Sequence, residues 1–228
     1  MVSPTIRTSA TSARWARMSS SRPPRTIVTL PVSAVIMGLR RQHGVIASHA
    51  MHSAAAVLSA ARAELARFPG VLEGLLGGLD AAGWRARPAP GEWAPVEVVC
   101  HLRDEEVEDF GARVDVILAG GARFAPIEPE RWAVERRYAD ADGPAALAEF
   151  RARRAASLVS LAAIPPERLV GAIEHRRTGR LSGLDLVAAW VAHDRLHLAQ
   201  LAGTLARTWT TRWAPLRTDY AGPIPYAP

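Results

Sequence analysis

Ala192-His193-Asp194-Arg195-Leu196-His197-Leu198-Ala199-Gln200 is the stretch that decides how the rest of the chain reads. His193 and His197 stand four residues apart, and on a helix that spacing puts two side chains on one face, with Cβ atoms about 6 Å apart. Two imidazoles so placed can share one metal ion. Leu186, Trp190 and Leu201 fall on the same face and are core-type residues. Both rings should therefore point into a bundle of helices and not into water. Burying two imidazoles without partners is costly. On spacing alone, the reading of ordinary histidines, solvated or satisfied in a core, stays open beside the metal.

A tetrahedral or octahedral cation needs at least one more protein ligand. Of the seven histidines (43, 49, 52, 101, 175, 193 and 197), none follows the pair. The best upstream candidate is His101, on a stripe with Val98 and Glu105 in the first half of another helix. Two packed helices lie about 8–10 Å apart, a gap that a ligand on one and a pair on the other can close. Other metal motifs fit less well. His193-Asp194-Arg195-Leu196-His197 resembles His-Glu-x-x-His, but aspartate is too short for the same base role and no third ligand follows. A di-iron bundle wants two Glu-x-x-His pairs, and the chain offers only Asp194-Arg195-Leu196-His197. Cys100 adjoins His101 but points about 100° away on a helix, so core packing is its expected role.

The remaining elements follow from periodicity and punctuation. Val57, Leu58, Ala61 and Leu65 sit at helical spacing in a segment from His52 to about Leu79, which Pro69-Gly70 should break into one interrupted helix or two short ones. Gly83 to Pro95 reads as loop. A second helix should start near Ala94 or Pro95, with Glu97 complementing its dipole, and end at Gly120-Gly121. A loop then runs to about Asp142. A third helix spans about Pro144 to Ala163, with Leu147, Phe150, Leu158 and Leu161 inward. Residues 167–182 read as loop or a short hairpin. The last helix begins after a Ser182 cap and runs to about Arg207. No stretch alternates convincingly with period two, so the fold is expected to be all-α, a four-helix bundle with long connecting loops. The expected domains are an appended segment 1–50, a bundle 51–207 and a proline-containing tail 208–228.

Composition removes one function class. The formal charge is +6 over 228 residues, and all 28 cationic side chains are arginine. Seven of these (Arg7, Arg14, Arg17, Arg22, Arg25, Arg40 and Arg41) stand within residues 1–50, which hold no acid. The body is therefore nearly neutral, and nothing in it argues for a phosphate-binding surface. The first 50 residues are rich in Ser, Thr, Arg and Pro. They read foremost as lying before a true start at Met37 or Met51, with a disordered tail or a targeting segment as alternatives. The apolar run Ile27–Leu39 is too short to span a bilayer. One cysteine excludes an intrachain disulfide framework.

Two segments resemble a known family. Glu92-Trp93-Ala94-Pro95-Val96-Glu97-Val98-Val99-Cys100-His101-Leu102-Arg103-Asp104-Glu105 is similar to the "EWs-x-x-E-V-x-x-HL-x-D" segment of the DinB/YfiT-like metalloenzymes, and Ala192–Gln200 is similar to their closing "HD-x-x-H-x-x-Q". Arg151-Ala152-Arg153-Arg154 and the stretch His175 to Leu184 fall where that family has an arginine-bearing helix and a loop. The resemblance covers about residues 52–207. It departs at His175-Arg176-Arg177, where His-Pro is common, a difference that concerns the substrate side and not the ligands. The resemblance implies a DinB-like four-helix bundle with one divalent metal held by His101, His193 and His197.

The family includes thiol-dependent transferases and isomerases that use small thiols such as mycothiol or bacillithiol. The implied function is thus a metal-dependent transferase acting on a small molecule with a low-molecular-weight thiol. A non-catalytic metal- or ligand-binding stress-response protein is the alternative. Asp104 and Glu105, one turn beyond His101, are the candidate catalytic acids, one of them as base or as partner of an imidazole, with a solvated acidic face as the other reading of either residue. Asp194 is expected to orient a neighbour, and the Arg151–Arg154 run to be a solvated face or a grip on an acidic cosubstrate. Imidazole ligands leave zinc, nickel and iron undistinguished. The expected partner is a small-molecule substrate, with no nucleic acid and no membrane; a homodimer is left open, and the expected location is cytoplasmic.

Overall fold

Prolines, glycines and short polar side chains set the helix ends. The computed structural model describes residues 39–223, with side chains from residue 54 onward. The site lies within the unit Ile46–Pro228, and the described helices begin at Leu39. In order they are α1 (Leu39–Leu76), α2 (Ala81–Arg85), α3 (Pro95–Glu105), a π-helical turn Glu106–Gly111, α4 (Ala112–Leu118), α5 (Pro129–Glu135), α6 (Gly143–Ala163) and α7 (Gly183–Arg212). Strands β1 (Ala172–His175) and β2 (Gly179–Ser182) form an antiparallel hairpin between α6 and α7, with Ile173 opposite Leu181. Helix α3, the π turn and α4 run on without a break, so among the described residues the long elements number four.

Local chemistry explains the boundaries. Pro95 opens α3, where its missing N–H would have no partner anyway. The Glu97 carboxylate accepts from Ala94 N at 2.8 Å and from Arg87 at 2.5 Å. Ser182 and Asp185 cap α7 reciprocally, Ser182 N donating to Asp185 at 2.8 Å and Asp185 N to Ser182 Oγ at 3.2 Å. Gly120 ends α4 in the left-handed region, with φ +70°, and Gly121 N closes on Val116 O at 2.8 Å.

Four expectations are corrected. Pro69 does not break α1, which is continuous from Leu39. A proline in a helix removes the hydrogen bond to the carbonyl four residues back, here that of Leu65. Arg154 Nη1 supplies the missing donor at 3.0 Å, and Phe68 and Leu72 on either side of Pro69 are anchored in the core. Gly83, Trp84 and Arg85, read as the start of a loop, belong to α2, because Asp80 caps Gly83 N at 2.7 Å and Trp84 is buried. The connection before Asp142 contains α5, started by Pro129 and held by buried Ala133. Helix α7 continues past Arg207 to Arg212. The segment 1–50 falls outside the described residues up to position 38, and residues 39–50 carry the helical backbone of α1.

The core is divided along the bundle axis. One apolar cluster contains Phe68, Leu72 and Leu76 of α1, Val99 and Leu102 of α3, Phe150 of α6 and Leu201 of α7. The other contains Leu58 and Leu65 of α1, Val114 and Ile117 of α4, Leu161 of α6, and Leu186 and Trp190 of α7. Between them every long helix except α1 contributes buried polar side chains: His101, Glu105 and Glu106, Arg154, and Asp194. α1 adds the Leu65 carbonyl to this layer.

Candidate metal centre

Helix α3 is buried nearly all round, from Val96 to Leu102, so His101 enters the interior, while His193 and His197 opposite it are part-exposed. Two helical turns of α7 bring His193 and His197 against it. His101 Nε2 lies 3.0 Å from His197 Nε2 and 3.3 Å from His193 Nε2, and the last two are 3.0 Å apart. Metal–nitrogen bonds of about 2.0–2.1 Å put two nitrogens about 2.9 Å apart at a right angle and about 3.4 Å apart at a tetrahedral angle. The observed triangle falls within that range, as one face of a tetrahedron or an octahedron.

The donor set fits a cation chemically as well. Burial holds all three imidazoles below the ordinary histidine range, so they are neutral at pH 7. Neutral imidazole carries one proton. His197 Nδ1 lies 2.7 Å from Gln200 Oε1, which can only accept, so the proton sits on Nδ1 and the lone pair on Nε2. The lone pair on His197 Nε2 thus faces the Nε2 atoms of His101 and His193, 3.0 Å from each, the position a cation would take. Trp93 shields the His101 ring edge-on, with centroids 5.0 Å apart, and Phe110 lies 5.2 Å from the His193 ring.

Glu105 completes this environment. Its Oε2 is 3.0 Å from His193 Nε2 and its Oε1 is 3.4 Å from His101 Nε2. Burial pushes its carboxyl up to about 8, against the nearby Arg113 cation. Asp104, its neighbour, points elsewhere. It accepts from Arg103 Nε at 2.7 Å, Arg136 Nη1 at 2.6 Å, Tyr138 Oη at 2.7 Å and Arg153 Nη1 at 3.1 Å. Of the two acids singled out from the sequence, the structure brings Glu105 to the histidines and binds Asp104 into an arginine cage. Cys100 is fully buried, and burial raises its thiol to about 11, in keeping with a core role.

The sequence profile of the DinB superfamily matches residues 64–201. The chain belongs to the DinB superfamily. Among solved structures it is similar to YfiT from Bacillus subtilis, described as a probable metal-dependent hydrolase with an unusual four-helix bundle topology. The two share 16% identity over 69% of this chain and 89% of YfiT, with a TM-score of 0.59, a likeness that establishes the four-helix bundle fold. No curated protein sequence matches the chain. Among the described residues, no helix is long and apolar enough to cross a membrane.

In this DinB-superfamily chain the sequence reading missed a second polar cluster beside the first. Arg154 is 1% exposed, not solvated. It grips Asp194 with Nη1 and Nη2 at 2.7 and 2.9 Å, and Glu106 Oε1 with Nε and Nη2 at 2.9 and 2.6 Å. Trp190 Nε1 donates to the same Glu106 oxygen at 3.0 Å. A signal for this existed: Arg154 follows Leu147 and Phe150 by seven and four residues and precedes Leu158 and Leu161 by the same steps, which puts it on the apolar stripe of α6. Its companions differ. Arg151 pairs with Glu73 at the surface, and Arg153 with Asp104.

Proposed function

We propose that this protein is a metal-dependent enzyme whose divalent cation is held by His101, His193 and His197, and which transfers a group between a small-molecule substrate and a low-molecular-weight thiol. The observation that carries the reading is the convergence of three imidazole nitrogens within 3.3 Å of one another, with the Glu105 carboxylate 3.0 Å from one of them. A cation there would act as a Lewis acid, lowering the pKa of a bound thiol or water or polarising a carbonyl.

The chain's own residues divide the remaining work. The three histidines would hold the cation, and as three protein ligands they would leave it able to take up a reactant. Gln200 orients the His197 ring through Nδ1. Beside a bound cation, which would favour its ionised form over the raised value that burial alone gives, Glu105 is placed to take the proton that a thiol loses on attack and to return it to the leaving group, a role expected to contribute about 10²- to 10⁴-fold. Trp93 and Phe110 pack against the His101 and His193 rings. The reading carries a cytoplasmic location, where small thiols stay reduced.

Hydrolysis is a second reading, because the same carboxylate can accept a proton from water and YfiT is described as a probable metal-dependent hydrolase. The test begins with metal analysis of purified wild-type protein and of His101→Ala and His197→Ala. Metal in the wild type and its loss in both variants is the expected result; unchanged metal in both overturns the site. The loaded protein is then offered electrophiles with and without a small thiol. Thiol-dependent consumption supports the transferase, and thiol-independent cleavage of esters or amides supports the hydrolase. Neither activity with any acceptor favours a binding protein without turnover.

A further inference from the structure

We propose that Arg154 is a positioning residue of the metal centre: from α6 it fixes how far α7 stands from the π turn, and through them where His193 and Glu105 meet. This rests on the metal reading above.

The guanidinium has five N–H groups, and its contacts account for all five. Nε and one Nη2 hydrogen serve Glu106 Oε1, the other Nη2 hydrogen and one Nη1 hydrogen serve Asp194, and the last serves the Leu65 carbonyl. That carbonyl is available because Pro69, four residues on, has no N–H to give it. The cluster therefore joins α1, α6, α7 and the π turn through one planar group, with Arg154, Glu106 and Asp194 each no more than 2% exposed.

The gripped residues are the immediate neighbours of the site. Asp194 follows His193, and Glu106 follows Glu105. Held on one rigid fork, their backbones cannot separate without breaking charge-assisted bonds on one side or the other. The distance so fixed is the one across which Glu105 Oε2 reaches His193 Nε2. A triangle of nitrogens with 3.0–3.3 Å sides tolerates little drift of α7 against α3. Lysine would keep the charge but not the fork, since a single ammonium cannot span both carboxylates and the Leu65 carbonyl in one plane.

Two variants of the full chain test this with cobalt(II) as the probe: Arg154→Lys, and Trp190→Phe, which deletes the donor to Glu106 while keeping a ring against Phe110. Cobalt affinity is measured by chelator competition and ligand geometry by the visible absorption bands. The expected result for Arg154→Lys is a loss of affinity of about 10- to 100-fold with altered bands, and for Trp190→Phe a smaller change in the same direction. A folded Arg154→Lys with wild-type affinity and bands, only less stable, overturns the positioning role. If Arg154→Lys does not fold, Trp190→Phe decides alone, and an unchanged spectrum there overturns it. A wild-type protein that takes up no cobalt removes the metal reading itself, and this proposal with it.

Discussion

Glu105 Oε2 lies 3.0 Å from His193 Nε2, on the helix that carries His101 and across from the helix that carries the other two rings. Among the described residues, the contact makes Glu105 the carboxylate that stands against the histidine triangle. Glu105→Gln keeps the size and removes the titratable carboxyl. Under the enzymatic reading, kcat should fall by about 10²- to 10⁴-fold while metal content stays near one per chain. Steady-state kinetics and metal analysis on the same preparation check both halves; equal activity in the variant removes Glu105 from the chemistry.

Gln200 should matter through metal affinity. It accepts from His197 Nδ1 at 2.7 Å and so presents Nε2 as the donor atom. Gln200→Leu leaves the ring free to turn and to change tautomer. Affinity should drop by about 10- to 100-fold, as read by chelator competition.

Asp104 should govern acid stability. Burial opposes its charge, yet hydrogen bonds from Arg103, Tyr138 and Arg136 hold its carboxyl down to about 2. A carboxyl whose pKa is lower in the folded state stabilises above its unfolded value and loses that stabilisation as pH falls toward the folded one. Here the window runs from about pH 4 down to about pH 2, and the contribution is about 2 kcal/mol. Urea unfolding of the wild type should show that decline on acidification. Asp104→Asn should be less stable at pH 7 and should have a shallower decline between those pH values.

Gly143 should not accept a side chain. A Cβ there would stand 2.1 Å from Trp84 Cδ2, the indole that α2 lays over the start of α6. Gly143→Ala should cost about 1–3 kcal/mol by overpacking, measured as a lower urea midpoint at unchanged slope.

What the sequence made legible was local or periodic. Pro95, Ser182 with Asp185, and Gly120 act on the backbone within a turn, and each marks a real boundary. The four-residue step from His193 to His197 is set by helix geometry alone. What was hidden depended on partners far away in the chain. Pro69 reads as a break until Arg154, 85 residues later by numbering, is seen to satisfy the carbonyl it orphans. Asp104 and Glu105 both lie a turn from His101, and only Arg136, Tyr138 and Arg153 from other elements separate their roles. The π turn has no signature of its own.

The polar layer between the two apolar clusters has one more consequence. Leucine, valine and phenylalanine surfaces grip without direction, and two helices joined by them alone can slip by a turn, about 5.4 Å, and still find apolar contacts. A guanidinium with five committed hydrogens and three rings aimed at one point allow no such slippage. The layer acts as a detent. It selects one axial alignment of the four helices from several that the greasy halves would tolerate, so the bundle's uniqueness and its chemistry reside in the same few side chains.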